Sequence, residues 1–239
     1  HYIFSTDKTA ADSAITEAAA LLKASQPGSV GHVNAEVHTA LQTAFDALKA
    51  DRTQSERLTA LTAAIADFKA ADIVLPEEGK IYQLVSAATY YKQLYNGSTA
   101  YESDGAVRFH YTPQTEPEEL WQFVKEGNGY KLRNYLTGHT VSLPTYNADV
   151  SAGTAATTLR IDKATIPYKE CTAMPGAVVI SAVDGYAATA TGNVKRLFAD
   201  CTGYVKAFNQ PTLTYAGTWR IVEVTDYTAQ LRGLLTKCE

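Results

Sequence analysis

Apolar residues recur at helical spacing through the first third of the chain and at strand spacing through the rest. Ala11, Ile15, Ala18 and Leu22 share one face of a helix that Thr6 and Asp7 are placed to cap and Pro27-Gly28 to end. Asn34 precedes a second stripe of Val37, Leu41, Ala44, Phe45 and Leu48. Thr53-Gln54-Ser55-Glu56 has the form of a capping box in front of a third, Leu58, Leu61, Ile65 and Phe68. Three amphipathic helices with short connections predict an antiparallel bundle over residues 1–75. The alanines on these stripes let the helices approach closely and leave no room for a cofactor pocket.

Beyond residue 75 the period becomes two. Leu120-Trp121-Gln122-Phe123-Val124 alternates large apolar and polar positions, as a strand with one buried face does, and worn copies follow at Thr158-Leu159-Arg160-Ile161-Asp162 and Thr218-Trp219-Arg220-Ile221-Val222. Each closing strand has an opening partner after a turn: Lys80-Ile81-Tyr82-Gln83-Leu84-Val85, Tyr130-Lys131-Leu132-Arg133, and Ala177-Val178-Val179-Ile180-Ser181-Ala182. Between them, Thr137-Gly138-His139 and Thr202-Gly203-Tyr204 each read as a tight turn between two strands of a hairpin. The closing strands are 38 residues apart (Trp121 to Leu159) and then 60 (Leu159 to Trp219), so the loops vary while the strands keep their character. Three units of about four strands predict a β-trefoil over residues 76–225; three blades are too few to close a propeller. The whole is an α+β multidomain chain, with residues 226–239 as a tail or short helix that docks its leucines or begins a linker.

Composition supports the division. Before about residue 73 the chain is rich in Ala, Leu, Lys, Asp and Glu, with Tyr2 its single tyrosine and no tryptophan; afterwards Tyr, Thr, Val and Gly dominate. The net charge of −4, spread without blocks of one sign, argues against nucleic acid or anionic lipid as partner. No apolar run reaches the roughly 20 residues of a membrane span. The start, His1-Tyr2-Ile3-Phe4, has neither Met nor a basic segment and suggests a processed or excised piece. Cys171 and Cys201 either bridge within the third repeat or remain idle thiols, Cys238 stands apart, and neither redox compartment nor oligomeric state is legible.

Two resemblances attach to these residues. The alanine-rich stripes resemble the three-helix, FIVAR-like modules found between domains of secreted bacterial surface proteins and carbohydrate-active enzymes. The openings Gly79-Lys80-Ile81-Tyr82-Gln83-Leu84 and Gly129-Tyr130-Lys131-Leu132-Arg133-Asn134, with Leu136-Thr137-Gly138-His139 and the closing Trp strands, resemble the ricin-type β-trefoil modules attached to secreted bacterial glycoside hydrolases. That resemblance implies a secreted, periplasmic or cell-surface setting, an oligosaccharide or polysaccharide partner, and a non-catalytic accessory role beside a glycan-degrading enzyme. One departure matters: where lectins of the family carry Gln-x-Trp, this chain has Glu119-Leu120-Trp121, Thr157-Thr158-Leu159 and Gly217-Thr218-Trp219, so the family's sugar site does not transfer residue by residue.

Sugar recognition needs an aromatic face for the C–H side of the ring and short polar groups for its hydroxyls, usually on loops over a rigid scaffold. The candidates are Tyr90, Tyr91, Tyr95 and Asn96, with Tyr101 and Asp104 nearby; Tyr146, Asn147 and Asp149; and Asp184, Tyr186 and Tyr204. Each tyrosine has a competing role as barrel plug or hairpin cap. Trp121 and Trp219 are assigned to the barrel interior, and Glu77-Glu78 and Glu118-Glu119 to solvated turns. His32 and His38, six apart, are read as solvated rather than as metal ligands; His110 and His139 lack any nucleophile motif; and no paired carboxylates, phosphate loop or metal cluster is recognisable. No catalytic residue, metal or cofactor is therefore assigned. A protein-interaction or spacer module without a sugar site is the alternative.

Overall fold

The computed structural model describes residues 5–87, 99–110, 116–164, 175–184, 195–199, 203–208 and 217–225. The three cysteines and residues 226–239 lie outside them. The chain divides into two compact units, residues 1–74 and 75–239.

In the first unit, helices α1 (Ser5–Ala24), α2 (Ala35–Ala50) and α3 (Ser55–Ala70) pack pairwise. Ala11, Ala18, Leu41, Leu48, Leu61, Ile65 and Phe68 are buried between them, with Ile15, Leu22, Val37, Phe45 and Leu58 packed alongside, so the sequence stripes are the core. No helix among the described residues is long and apolar enough to cross a membrane.

The capping residues follow the sequence only in part. Asn34 caps α2, its side-chain oxygen accepting the Val37 amide at 2.9 Å. Asn34→Ala is expected to cost about 1 kcal/mol, read as an earlier helical melt by circular dichroism; an unchanged melt would remove the cap from the account. By contrast α1 starts at Ser5, so Thr6 and Asp7 fall inside its first turn. The capping box at α3 does not form, because Thr53 turns back to Asp51, donating its amide at 3.0 Å and its hydroxyl at 2.6 Å, and Gln54 becomes the N-cap residue, without a side-chain cap hydrogen bond. His32 is not solvated either. It is half-buried, its Nδ1 accepts the Gln26 amide at 3.1 Å, and burial lowers its pKa.

The second unit has twelve described strands in three sets of four. The first is β1 (Tyr82–Ser86), β2 (Thr99–Ser103), β3 (Ala106–His110) and β4 (Trp121–Glu126). The second is β5 (Gly129–Asn134), β6 (Thr140–Ser142), β7 (Ser151–Gly153) and β8 (Leu159–Lys163). The third is β9 (Val178–Ala182), β10 (Leu197–Ala199), β11 (Val205–Ala207) and β12 (Thr218–Glu223).

The first and last strands of each set close a ring, β1-β4-β5-β8-β9-β12 and back to β1, every pairing antiparallel. Within a set the strands meet at equivalent residues: Tyr82 opposite Trp121, Tyr130 opposite Leu159, Val178 opposite Trp219. All six side chains are buried, which confirms both tryptophans as interior. Between sets, Phe123 faces Leu132, Ile161 faces Ile180 and Leu84 faces Ile221, forming the next layer. Phe123 also meets the edges of Tyr82 and Tyr130 with centroids 5.7 and 5.8 Å away. Gly129 marks the tightest crossing, since a Cβ there would collide with the Leu159 carbonyl.

The middle strands form three hairpins, β2–β3, β6–β7 and β10–β11, laced together at one end. The Val107 amide donates to Val150 O at 2.9 Å, the Val150 amide to Val205 O at 2.9 Å, and the Phe109 amide to Gly203 O at 3.0 Å. Val107, Val150 and Val205, one from each set, are buried at this junction. The two Thr-Gly turns differ in role. Gly203 precedes β11, the second strand of its hairpin, whereas Thr137-Gly138 joins β5 to β6, which pair only through Arg133 and Thr140. Both glycines have positive φ, 72° at Gly138 and 85° at Gly203, so the shared sequence reports a local backbone need, not an equivalent place in the repeat.

Candidate functional site

The first hairpin is built from alternation. Ala100 and Glu102 on β2, and Val107 and Phe109 on β3, point inward and are buried; Tyr101, Arg108 and His110 take the other face and are half-buried. Tyr101 is directly opposite Arg108, and Arg108 on its other side pairs with Tyr204, which precedes β11. Three side chains therefore lie in one row across three neighbouring chain segments, with the Arg108 guanidinium 4.7 Å from the Tyr204 ring centre. Tyr101 stacks flat on His110, centroids 3.8 Å apart and planes within 9°.

Behind this plate is Glu119. The sequence places it in a solvated turn, but it is 0% exposed, because the single 3-10 turn Pro117–Glu119 rotates it inward. Its Oε1 accepts the Thr99 hydroxyl at 2.6 Å and lies 2.7 Å from His110 Nδ1, while Oε2 accepts Gln83 Nε2 at 3.2 Å. Burial pushes its carboxyl pKa up, against the opposing pull of the Thr99 and His110 hydrogen bonds. The carboxyl thus ties β1, β2 and β3 together and fixes the imidazole that supports Tyr101.

A second buried carboxyl, Glu102, fastens the β5–β6 turn to this hairpin. Its Oε1 is 2.9 Å from His139 Nδ1, and its Oε2 accepts the Thr137 hydroxyl. Asn134, buried beside them, accepts the amides of Leu136 and Thr137 at 3.0 and 3.1 Å and donates to Glu118 O at 2.8 Å. His139 and His110 each face a buried glutamate, an arrangement with no signature in their sequence neighbourhoods.

The sequence candidates are dispersed. Tyr90, Tyr91, Tyr95, Asn96 and Tyr186 lie outside the described residues. Tyr146 is half-buried and stacks on Phe208 with centroids 5.3 Å apart. Asn147 is exposed at φ 65°, and its amide donates to Ala207 O at 2.8 Å, so it shapes a turn. Asp149 is exposed and bridges through its backbone to Lys206; Asp184 is exposed at the end of β9. Of the described candidates, Tyr204, with the neighbouring Tyr101, enters the row.

Arg108, His110 and Glu119 are missed by motif reading. The alternation Ala106-Val107-Arg108-Phe109-His110 already sets Arg108 and His110 on the face opposite two apolar residues, and Glu119 stands two residues before Trp121. Chemically the row offers aromatic faces and fixed guanidinium donors. Among the described residues no three His, Cys, Asp or Glu side chains are grouped to hold a metal.

No family model matches the chain, and no curated protein matches it. Solved structures that it is similar to include the Macrolepiota procera ricin B-like lectin in complex with lactose, at 16% identity and TM-score 0.38 over 63% of this chain and 100% of that one. The Rhizoctonia solani agglutinin matches at 19% identity and TM-score 0.43 over 64% and 100%, respectively. ThreeFoil, a designed three-fold symmetric protein, matches at 16% and 0.37 over 60% and 99%.

Proposed function

We propose that the second unit is a β-trefoil acting as a non-catalytic carbohydrate-binding module. The six-stranded ring with three laced hairpins supports the trefoil reading. The Tyr101-Arg108-Tyr204 row, with Tyr101 held flat on His110, carries the carbohydrate reading, because half-exposed rings beside fixed donors match the two faces of a sugar. The three-helix unit is a spacer in this reading, and the parent is a secreted or cell-surface bacterial protein that degrades glycans; both parts rest on the sequence resemblances.

A glycan array probed with the full chain is expected to retain at least one class of saccharide. Tyr101→Ala should then weaken that binding about tenfold with the fold intact by circular dichroism. An array with no retained glycan overturns the reading. The alternative, a protein-interaction or spacer module, draws support from the missing Gln in all three closing triplets and from Tyr146 being packed on Phe208. A purified protein partner whose binding free sugars leave unchanged would select it.

A further inference from the structure

Most described arginines have a protein acceptor. Arg52 donates to Asp12 at 2.7 Å, Arg57 to Ala47 O at 2.8 Å, Arg133 to Gln122 at 2.7 Å, and Arg160 to both oxygens of Asp162 at 2.6 and 2.8 Å. Arg108 has no hydrogen-bond or ion-pair acceptor among the described residues, and its Nε is buried. Arg196 also buries an Nε without an acceptor, but it lies outside the aromatic row. Lys206, two residues beyond Tyr204 on the neighbouring segment, stands opposite the acidic Asp149, whereas the described residues paired with Arg108 are the uncharged Tyr101 and Tyr204.

A guanidinium N–H removed from water without an acceptor is costly, and the planar fork of Arg fits two oxygens of a carboxylate or sulfate. Tyr204 lies beneath the guanidinium, and Tyr101 stands opposite Arg108 on the ladder, so the half-buried Arg108 is flanked by two aromatic residues. We infer that Arg108 recognises an anionic group, so that the saccharide bound here is acidic, bearing a carboxylate or a sulfate. This inference rests on the carbohydrate reading. The rings contact the sugar's C–H face while Arg108 takes the charged substituent. Carboxylate and sulfate present the same acceptor chemistry, so the source is left to the measurement.

The test compares charged and neutralised partners on the unmodified full chain by calorimetry: an oligogalacturonate against its methyl ester, and a sulfated oligosaccharide against its desulfated form. One charged member is expected to bind roughly 10- to 100-fold more tightly than its neutral partner, with an affinity that falls as salt rises. The pair showing this difference identifies the group. Arg108→Gln should remove the difference, with folding checked by circular dichroism. If the neutral forms bind as tightly as the charged ones, or if the array retains neutral glycans alone, the anion inference is overturned and the carbohydrate reading stands. If the array retains nothing, both fall.

Discussion

Replacing Trp121 with Leu is expected to destabilise the β unit by about 3–5 kcal/mol, although Leu is what the second set carries at the equivalent place. Part of the cost is the volume lost from a fully buried indole. The rest comes from one hydrogen bond. Trp121 Nε1 donates to Ala100 O at 3.0 Å, and Trp219 Nε1 does the same for Leu197 O at 2.8 Å, each reaching the first strand of its own hairpin. Leu159 has no such donor, and there the Thr157 amide donates to Val141 O at 3.0 Å instead. The first set cannot borrow that solution, because the Glu119 amide, two residues before Trp121, is already bound to Glu116 O at 3.0 Å within the 3-10 turn. Leu at 121 therefore leaves a buried carbonyl without a donor. The reciprocal change, Leu159→Trp, is expected to cost about 1–3 kcal/mol by overpacking a site whose acceptor is taken. Chemical denaturation monitored by tryptophan fluorescence for Leu159→Trp, and by circular dichroism for Trp121→Leu, reads both; a Trp121→Leu curve matching the parent would refute the account.

The second large effect belongs to Glu119. Glu119→Ala removes the acceptor shared by Thr99, His110 and Gln83 and is expected to cost about 2–4 kcal/mol. Glu119→Gln should behave in the opposite way at neutral pH, remaining within about 1 kcal/mol of the parent or exceeding it, because an amide oxygen still accepts from Thr99 and His110 without a buried charge. The pH dependence follows from the direction of the shift. Burial raises the folded-state pKa above the ordinary value of 4.5, so the protonated carboxyl favours the folded state. The contribution is fully present below that ordinary value and is lost as pH rises through the raised folded value. Thermal melts across this window should show the parent losing that increment and the Gln variant keeping a flatter profile. Parallel profiles for the two would show that Glu119 does not titrate with folding. The same substitution creates a Gln-x-Trp triplet in the first closing strand, so any accompanying gain in glycan affinity would support the proposed carbohydrate site.

What is local in the chain was legible. The i, i+3, i+4 stripes became the helical core residue for residue, from Ala11 to Phe68. The alternation around Trp121, Leu159 and Trp219 named three closing strands and their buried faces before any strand had a neighbour. Capping was legible where one side chain had one use, as at Asn34, and was lost where two uses competed, as when Thr53 bonded Asp51 in preference to the α3 amides. Of the candidate site, tyrosine-rich loops drew attention by composition, yet among the described candidates Tyr146 serves packing while Tyr101 and Tyr204 meet the row.

The amino-acid sequence by itself determined which residues of the three helices and the closing strands turn inward, because side-chain direction follows the period of the element that carries it. It determined three repeats, their opening and closing strands, and the break between a helical and a β unit. Which segments become neighbours was decided only by tertiary structure. Arg108 and Tyr204 come from the first and third sets and meet because the hairpins are laced around a common junction. Glu119 faces inward because one turn of 3-10 helix rotates it toward Thr99 and His110, where hydrogen bonds offset the desolvation of its carboxyl.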